Sequence, residues 1–166
     1  MRLFIGIKVA EEIACRVLKW QKDYKNLPLR FIKKDNLHLT LIPPYYEETE
    51  DNSIQKLNEL KKIGNISLVF NKIFVNNMNK VIWIESSDPP KEMFQIQEDL
   101  LKLFKKPKEK RPYRVHMTIA RFKERLSKKQ IEKVINWKTE VNSIELFESK
   151  LRPKGANYRI ITRKLI

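Results

Sequence analysis

The sequence predicts an α+β fold of two pseudo-symmetric lobes, each an antiparallel sheet with flanking helices, and an active-site cleft between them. Three observations carry this. The order helix, strand, helix, strand, strand reads twice along the 166 residues. The only two histidines open the same phrase, His38-Leu39-Thr40-Leu41 and His116-Met117-Thr118-Ile119. The offset between them, 78 residues, also relates Ile66 to Ile144, Leu68 to Leu146, Asn79 to Asn157 and Ile82 to Ile160 without a gap. Self-similarity at a fixed offset marks a duplicated unit. The chain is therefore expected to be a single bilobal domain over 1–166, with repeat halves of roughly 1–87 and 88–166.

Each element follows from period and punctuation. Arg2–Val9 alternates as a strand, and Glu11–Lys25 places Ile13, Val17, Trp20 and Tyr24 at helical spacing. Leu37–Ile42 alternates again and is expected to stop at Pro43-Pro44, which cannot continue a hydrogen-bonded ladder. Ser53–Ile63 is helical through Ile54, Leu57 and Leu60; Ile66–Val75 and Lys80–Glu85 are strands around an Asn-rich turn. Asp88-Pro89 reads as an N-cap with proline at the first helical position, opening a helix to about Lys105 through Met93, Ile96, Leu100 and Phe104. Val115–Phe122 is the second histidine strand. Ser127 with Gln130 reads as a capping box for a helix to Trp137, and strands at about Val141–Leu151 and Tyr158–Leu165 close the chain.

Composition narrows the class. The longest early apolar run, Leu3 to Ile7, is too short for a secretory leader core or a membrane span. The single cysteine, Cys15, excludes an internal disulfide and reads as a small buried residue in a reducing compartment, so a cytoplasmic protein is expected, away from membranes. A net charge of +15 points to a polyanionic partner, nucleic acid before membrane. Lys102, Lys105, Lys106, Lys108, Lys110, Arg111 and Arg114, with Glu109 the one acid among them, lead into the second histidine phrase and read as a phosphate-backbone track. Lys33 and Lys34 precede the first phrase in the same way.

On a strand, residues i and i+2 share a face, so each phrase presents an imidazole and a hydroxyl together. Five threonines in the chain put chance agreement of both phrases at about 0.1%. Histidine exchanges protons near neutrality. Two imidazoles across a cleft can divide acid and base work, one removing a proton from an attacking oxygen and the other protonating a departing one. In-line displacement at phosphorus needs that arrangement, and Thr40 and Thr118 can donate to the non-bridging oxygens. A zinc site is the competing reading, but no carboxylate or cysteine lies within a few residues of either histidine on the same strand face, apart from Glu47 and Glu48 beyond the proline pair, so no metal is expected. Gly6, Gly64 and Gly155 are the only glycines, which leaves no Gly-rich phosphate loop. Tyr45, Tyr46, Tyr113 and Phe122 lie near the motifs as candidates to stack on bases or to line the core; Trp20, Trp83 and Trp137 read as core.

Paired His-x-Thr-x phrases half a chain apart resemble the 2H phosphoesterase superfamily, and more narrowly its RNA 2′,3′-cyclic phosphodiesterase (ThpR/LigT, "2′-5′ RNA ligase") family. The resemblance spans nearly the whole chain, from Met1-Arg2-Leu3-Phe4-Ile5-Gly6-Ile7 through Asn36-Leu37-His38, Lys80-Val81-Ile82-Trp83-Ile84 and His116-Met117-Thr118-Ile119-Ala120-Arg121 to Leu151-Arg152-Pro153-Lys154-Gly155-Ala156-Asn157-Tyr158. It implies hydrolysis of a 2′,3′-cyclic phosphate RNA end to a 2′-phosphomonoester, without metal or cofactor; a monomer with no obligatory protein partner is expected. It implies His38 as general acid, His116 as general base, Thr40 and Thr118 on the phosphate and Arg121 as a nearby positive charge. The chain departs from the family where Ile42-Pro43-Pro44-Tyr45-Tyr46 follows the first motif, and where Val115 replaces the usual proline before the second histidine. Alternatives are 2′-5′ ligation by the reverse reaction, a non-catalytic basic module that binds RNA ends, and a phosphodiesterase for small cyclic nucleotides.

Overall fold

The computed structural model describes residues 1–153 and 155–166, so Lys154 of the terminal segment lies outside the described residues. In chain order the elements are β1 (Arg2–Lys8), α1 (Glu11–Asp23), β2 (Leu29–Phe31), a 3-10 turn at Lys34–Asn36, β3 (His38–Tyr46), α2 (Asp51–Asn58), β4 (Ile66–Asn76), β5 (Val81–Glu85), α3 (Lys91–Leu103), β6 (His116–Phe122), α4 (Lys128–Ile131), β7 (Lys133–Val141), β8 (Ser143–Lys150) and β9 (Asn157–Leu165). They build two antiparallel sheets, one ordered β3-β1-β8-β9 and the other β2-β6-β5-β4-β7. Helices α2 and α3 pack on the first sheet, and α1 and α4 on the second. The sheets approach each other along β3 and β6, the two histidine strands.

The 78-residue offset recurs in the elements: β1 maps on β5, α1 on α3, β3 on β6 and β4 on β8. A sequence half is nevertheless not a lobe. β1 pairs with β8, and β5 with β6, so the other half supplies a strand beside each. The helices cross as well: α1 sends the Gln21 amide to the carbonyl of Ile119 on β6, while α3 packs against β3. Each half therefore packs its helices on strands of the other and completes a sheet only with the other's strands.

Helix faces follow the apolar spacing. Ile13, Val17 and Trp20 of α1 and Met93, Ile96 and Leu100 of α3 are buried, four or three residues apart. Cys15 falls between these positions and is exposed, its thiol 3.6 Å from Glu11 Oε1, which corrects the expectation that it is buried.

The helix expected over Ser53–Ile63 is Asp51–Asn58, and three further boundaries differ from the sequence reading. β3 runs through Pro43 and Pro44 to Tyr46, because it is the outer strand of its sheet and its pairing with β1 is irregular there, where missing N–H groups cost little. α3 begins after Pro90, in extended geometry, instead of being capped by Asp88: a proline biases the residue before it away from helical angles, and Pro89 precedes another. The helix expected to run to Trp137 is the single turn α4, and Ser127 makes no side-chain cap bond. Residues 133–141 pair instead with the long β4, alternating through Ile135, Trp137, Thr139 and Val141, so sheet pairing overrides a helix-like spacing. Trp137 is consequently only half-buried, whereas Trp20 and Trp83 are buried as expected.

Candidate active site

Alternation places His38 and Thr40 of β3, and His116 and Thr118 of β6, on the same cleft of about 570 Å³. Their neighbours Leu39, Leu41, Met117 and Ile119 are buried on the opposite side. Both strands carry an irregularity at the same point. Gly6 is opposite Thr40 while Ile5 is opposite Ile42, leaving Leu41 as an extra residue; Trp83 is opposite Thr118 while Ile82 is opposite Ala120, leaving Ile119 as one. An extra residue reverses the alternation beyond it. Arg121, five residues after His116, would otherwise point away, and the bulge returns it to the cleft.

Each imidazole is held in the same way. The Nδ1–H of His38 donates to the carbonyl of Asn36 at 2.7 Å, and the Nδ1–H of His116 to the carbonyl of Arg114 at 2.9 Å. A carbonyl only accepts, so Nδ1 carries the hydrogen and Nε2 is left to exchange a proton. The two supporting residues are themselves fixed. Asn36 donates from its amide to the Ala156 carbonyl and accepts from the Tyr158 N–H. Arg114 donates to Glu85, which also accepts from the Trp83 indole.

The surroundings differ. His38 packs against Phe4 and Tyr158, with ring centroids 4.8 and 5.1 Å away, and Trp83 lies 4.9 Å from His116. Burial holds the His38 imidazolium below the ordinary histidine range, partly offset by the Asn36 carbonyl and reinforced by the nearby His116. The cleft is also lined by Arg2, Arg30, Lys33, Arg121 and Arg152, with no carboxylate among the described lining residues. Such a surface selects for anions. Among the described residues, no three His, Cys, Asp or Glu side chains come together to hold a metal ion.

The family model for the 2′-5′ RNA ligase superfamily matches residues 10–152. The chain belongs to the 2′-5′ RNA ligase superfamily. A relative in Methanocaldococcus jannaschii named RNA 2′,3′-cyclic phosphodiesterase is 32% identical, covering 97% of this chain and 98% of its own. In fold, the chain is similar to E. coli LigT solved with 3′-AMP, at a TM-score of 0.84 and 21% identity over 99% of this chain and 97% of that one. It is similar also to a Thermus thermophilus protein, at a TM-score of 0.82 and 18% identity over 98% and 96%.

All five residues singled out in the sequence, His38, Thr40, His116, Thr118 and Arg121, line this superfamily member's cleft. The basic run before His116 does not contribute to that lining: Lys108 pairs with Glu98, Arg114 with Glu85, and Lys106 lies over the Tyr45 ring. Of its flanking counterpart, Lys33 lines the cleft and Lys34 pairs with Glu11. Nor do the aromatic candidates reach it. Tyr45 and Phe122 are buried, Tyr46 is 76% exposed, and Tyr113 donates its hydroxyl to the carbonyl of Thr40. The cleft's aromatics are Phe4, Phe31 and Tyr158 instead. Arg2, Arg30 and Arg152 escaped the sequence reading because they come from distant segments. Asn36 was visible in principle, since its position two residues before His38 matches that of Arg114 before His116.

Proposed function

We propose that this chain hydrolyses the 2′,3′-cyclic phosphate at an RNA end to a 2′-phosphomonoester, using paired histidines and no metal. The observation that supports this most is the matched pair of imidazoles, each with Nδ1 committed to a backbone carbonyl, on one cation-lined cleft. The name of the M. jannaschii relative supports the same activity.

In this reading the cyclic phosphate sits between β3 and β6, with its non-bridging oxygens on the Thr40 and Thr118 hydroxyls and with Arg121 adding positive charge nearby. His116 Nε2 takes a proton from water as the water oxygen bonds to phosphorus. The P–O3′ bond breaks, and His38 Nε2–H protonates the departing O3′. The acid and base assignment rests on the family resemblance. Burial favours neutral His38 in the free protein; a bound phosphate anion acts the other way and favours the protonated form that an acid requires.

The test is an RNA oligomer ending in a 2′,3′-cyclic phosphate, incubated in EDTA with wild type, His38→Ala and His116→Ala. Turnover by wild type to a 2′-phosphate is expected, with losses of roughly 100- to 10,000-fold in each variant. Turnover abolished by EDTA points to a metal site. Intact binding without turnover leaves a protein that only holds RNA ends.

A further inference from the structure

The bulge on β6 leaves Ile119 with no opposite residue on β5: Thr118 before it faces Trp83, and Ala120 after it faces Ile82. On its other side β6 pairs with β2, an edge strand of three residues, which places Phe31 opposite Ala120 and Arg30 opposite Arg121. The Ile119 carbonyl bonds on that side and accepts the Ile32 N–H at 3.0 Å, just past the last pair of the ladder. A second donor reaches the same oxygen from the helix side of the sheet. The side-chain amide of Gln21, on α1, donates to the Ile119 carbonyl at 3.3 Å and to the Ile32 carbonyl at 2.9 Å. An amide nitrogen carries two hydrogens, so both are committed.

Gln21 is 9% exposed and lies outside the cleft lining, whereas Ile32 and Thr118 border the cleft. One side chain therefore joins the end of β2 to the bulged residue of β6. The position 78 residues on is Asp99 of α3, whose carboxylate accepts the Gln95 amide of the same helix. The clamp is thus a feature of the His116 strand and not of the repeat. A bulge sets the aim of the side chains around it. Thr118 directly precedes Ile119, and its hydroxyl shares the cleft with His116. Without the Gln21 amide each carbonyl loses a donor, and the single bond between Ile32 and Ile119 is left to tie β2 to the bulge. We propose that Gln21 is a positioning residue for the reaction: it fixes the bulge at Ile119 so that the Thr118 hydroxyl stands where charge gathers on the phosphate. This rests on the cyclic phosphodiesterase reading of the cleft.

Three variants test it with an RNA oligomer ending in a 2′,3′-cyclic phosphate. Gln21→Met keeps the length of the side chain and removes both donors. Gln21→Asn, one methylene shorter, stays polar but withdraws its amide from both carbonyls. Val17→Ala weakens the buried face of the same helix and leaves the clamp intact. Gln21→Met and Gln21→Asn should each lower kcat per folded molecule about tenfold, with KM moving less than about threefold, because small misplacements of a reacting group are costly. Val17→Ala should keep the wild-type kcat per folded molecule. Unchanged kcat in either Gln21 variant, or an equal loss in Val17→Ala, overturns the proposal. Inorganic phosphate is titrated alongside and followed by NMR at the Thr118 backbone amide, where a several-fold loss of affinity is expected in the Gln21 variants and none in Val17→Ala. Wild type that turns over no cyclic phosphate counts against the hydrolase reading. The phosphate titration then still decides the clamp, and an affinity unchanged by Gln21→Met and Gln21→Asn overturns it.

Discussion

Arg114 donates to the buried carboxylate of Glu85 across 2.9 Å. Glu85 Oε2 also receives the Trp83 indole N–H at 2.9 Å, and the residue as a whole is 5% exposed. The Trp83 ring lies against the His116 imidazole, and the Arg114 carbonyl accepts its Nδ1–H. One carboxylate thus holds both groups that orient this histidine. Replacing Glu85 with Gln keeps the size and removes the charge. A fall in kcat of roughly tenfold with KM nearly unchanged is expected, because small misplacements of a reacting group are costly. Glu85→Asp should recover part of it. A loss that appears in KM alone, or that simply follows stability, rules out the positioning role.

Burial depresses His38, which has consequences for both titration and stability. With only two histidines, their ring protons can be followed individually by NMR. In the free protein His38 should titrate below 6.5, its ordinary value, and should move upward when inorganic phosphate is added. Between the folded-state pKa and 6.5 the unfolded chain binds this proton and the folded chain does not. Stability should therefore rise with pH across that window and level off above it, and His38→Gln should flatten the rise. A His38 titration at or above 6.5 in the absence of anions contradicts this.

Gly6 sits in β1 opposite Thr40 on one side and Glu145 on the other. A Cβ added there would come 2.4 Å from the Leu39 carbonyl oxygen, a backbone atom that cannot yield without moving β3. Gly6→Ala should lower the free energy of unfolding by about 1–3 kcal/mol. It should also reduce activity beyond any loss of folded protein, because the displaced segment runs from His38 to Thr40. Denaturant midpoints with activity per folded molecule check both; an Ala variant of wild-type stability refutes the steric argument.

Tyr113, from the segment before the second histidine strand, donates its hydroxyl to the Thr40 carbonyl at 3.1 Å and so ties the two sides of the cleft together. Burial pushes its ionisation well above the ordinary tyrosine range, so the bond persists through the alkaline range in which most enzymes are assayed. Tyr113→Phe should cost about 1 kcal/mol of stability, measured by urea unfolding. Unchanged stability indicates that the hydroxyl is replaced by water without loss.

The sequence by itself determined the histidine strands, their shared face with Thr40 and Thr118, the apolar faces of the two long helices and the 78-residue register. All of these depend on local periodicity, which a strand or helix expresses wherever it is placed. Only the tertiary structure decided that the halves exchange strands and helices, and that residues 133–141 extend a sheet instead of a helix. It also decided that the bulge after Thr118 turns Arg121 into the cleft and that Arg30 lies beside it. Those outcomes depend on which strand lies next to which, a long-range pairing energy that no short window of sequence contains.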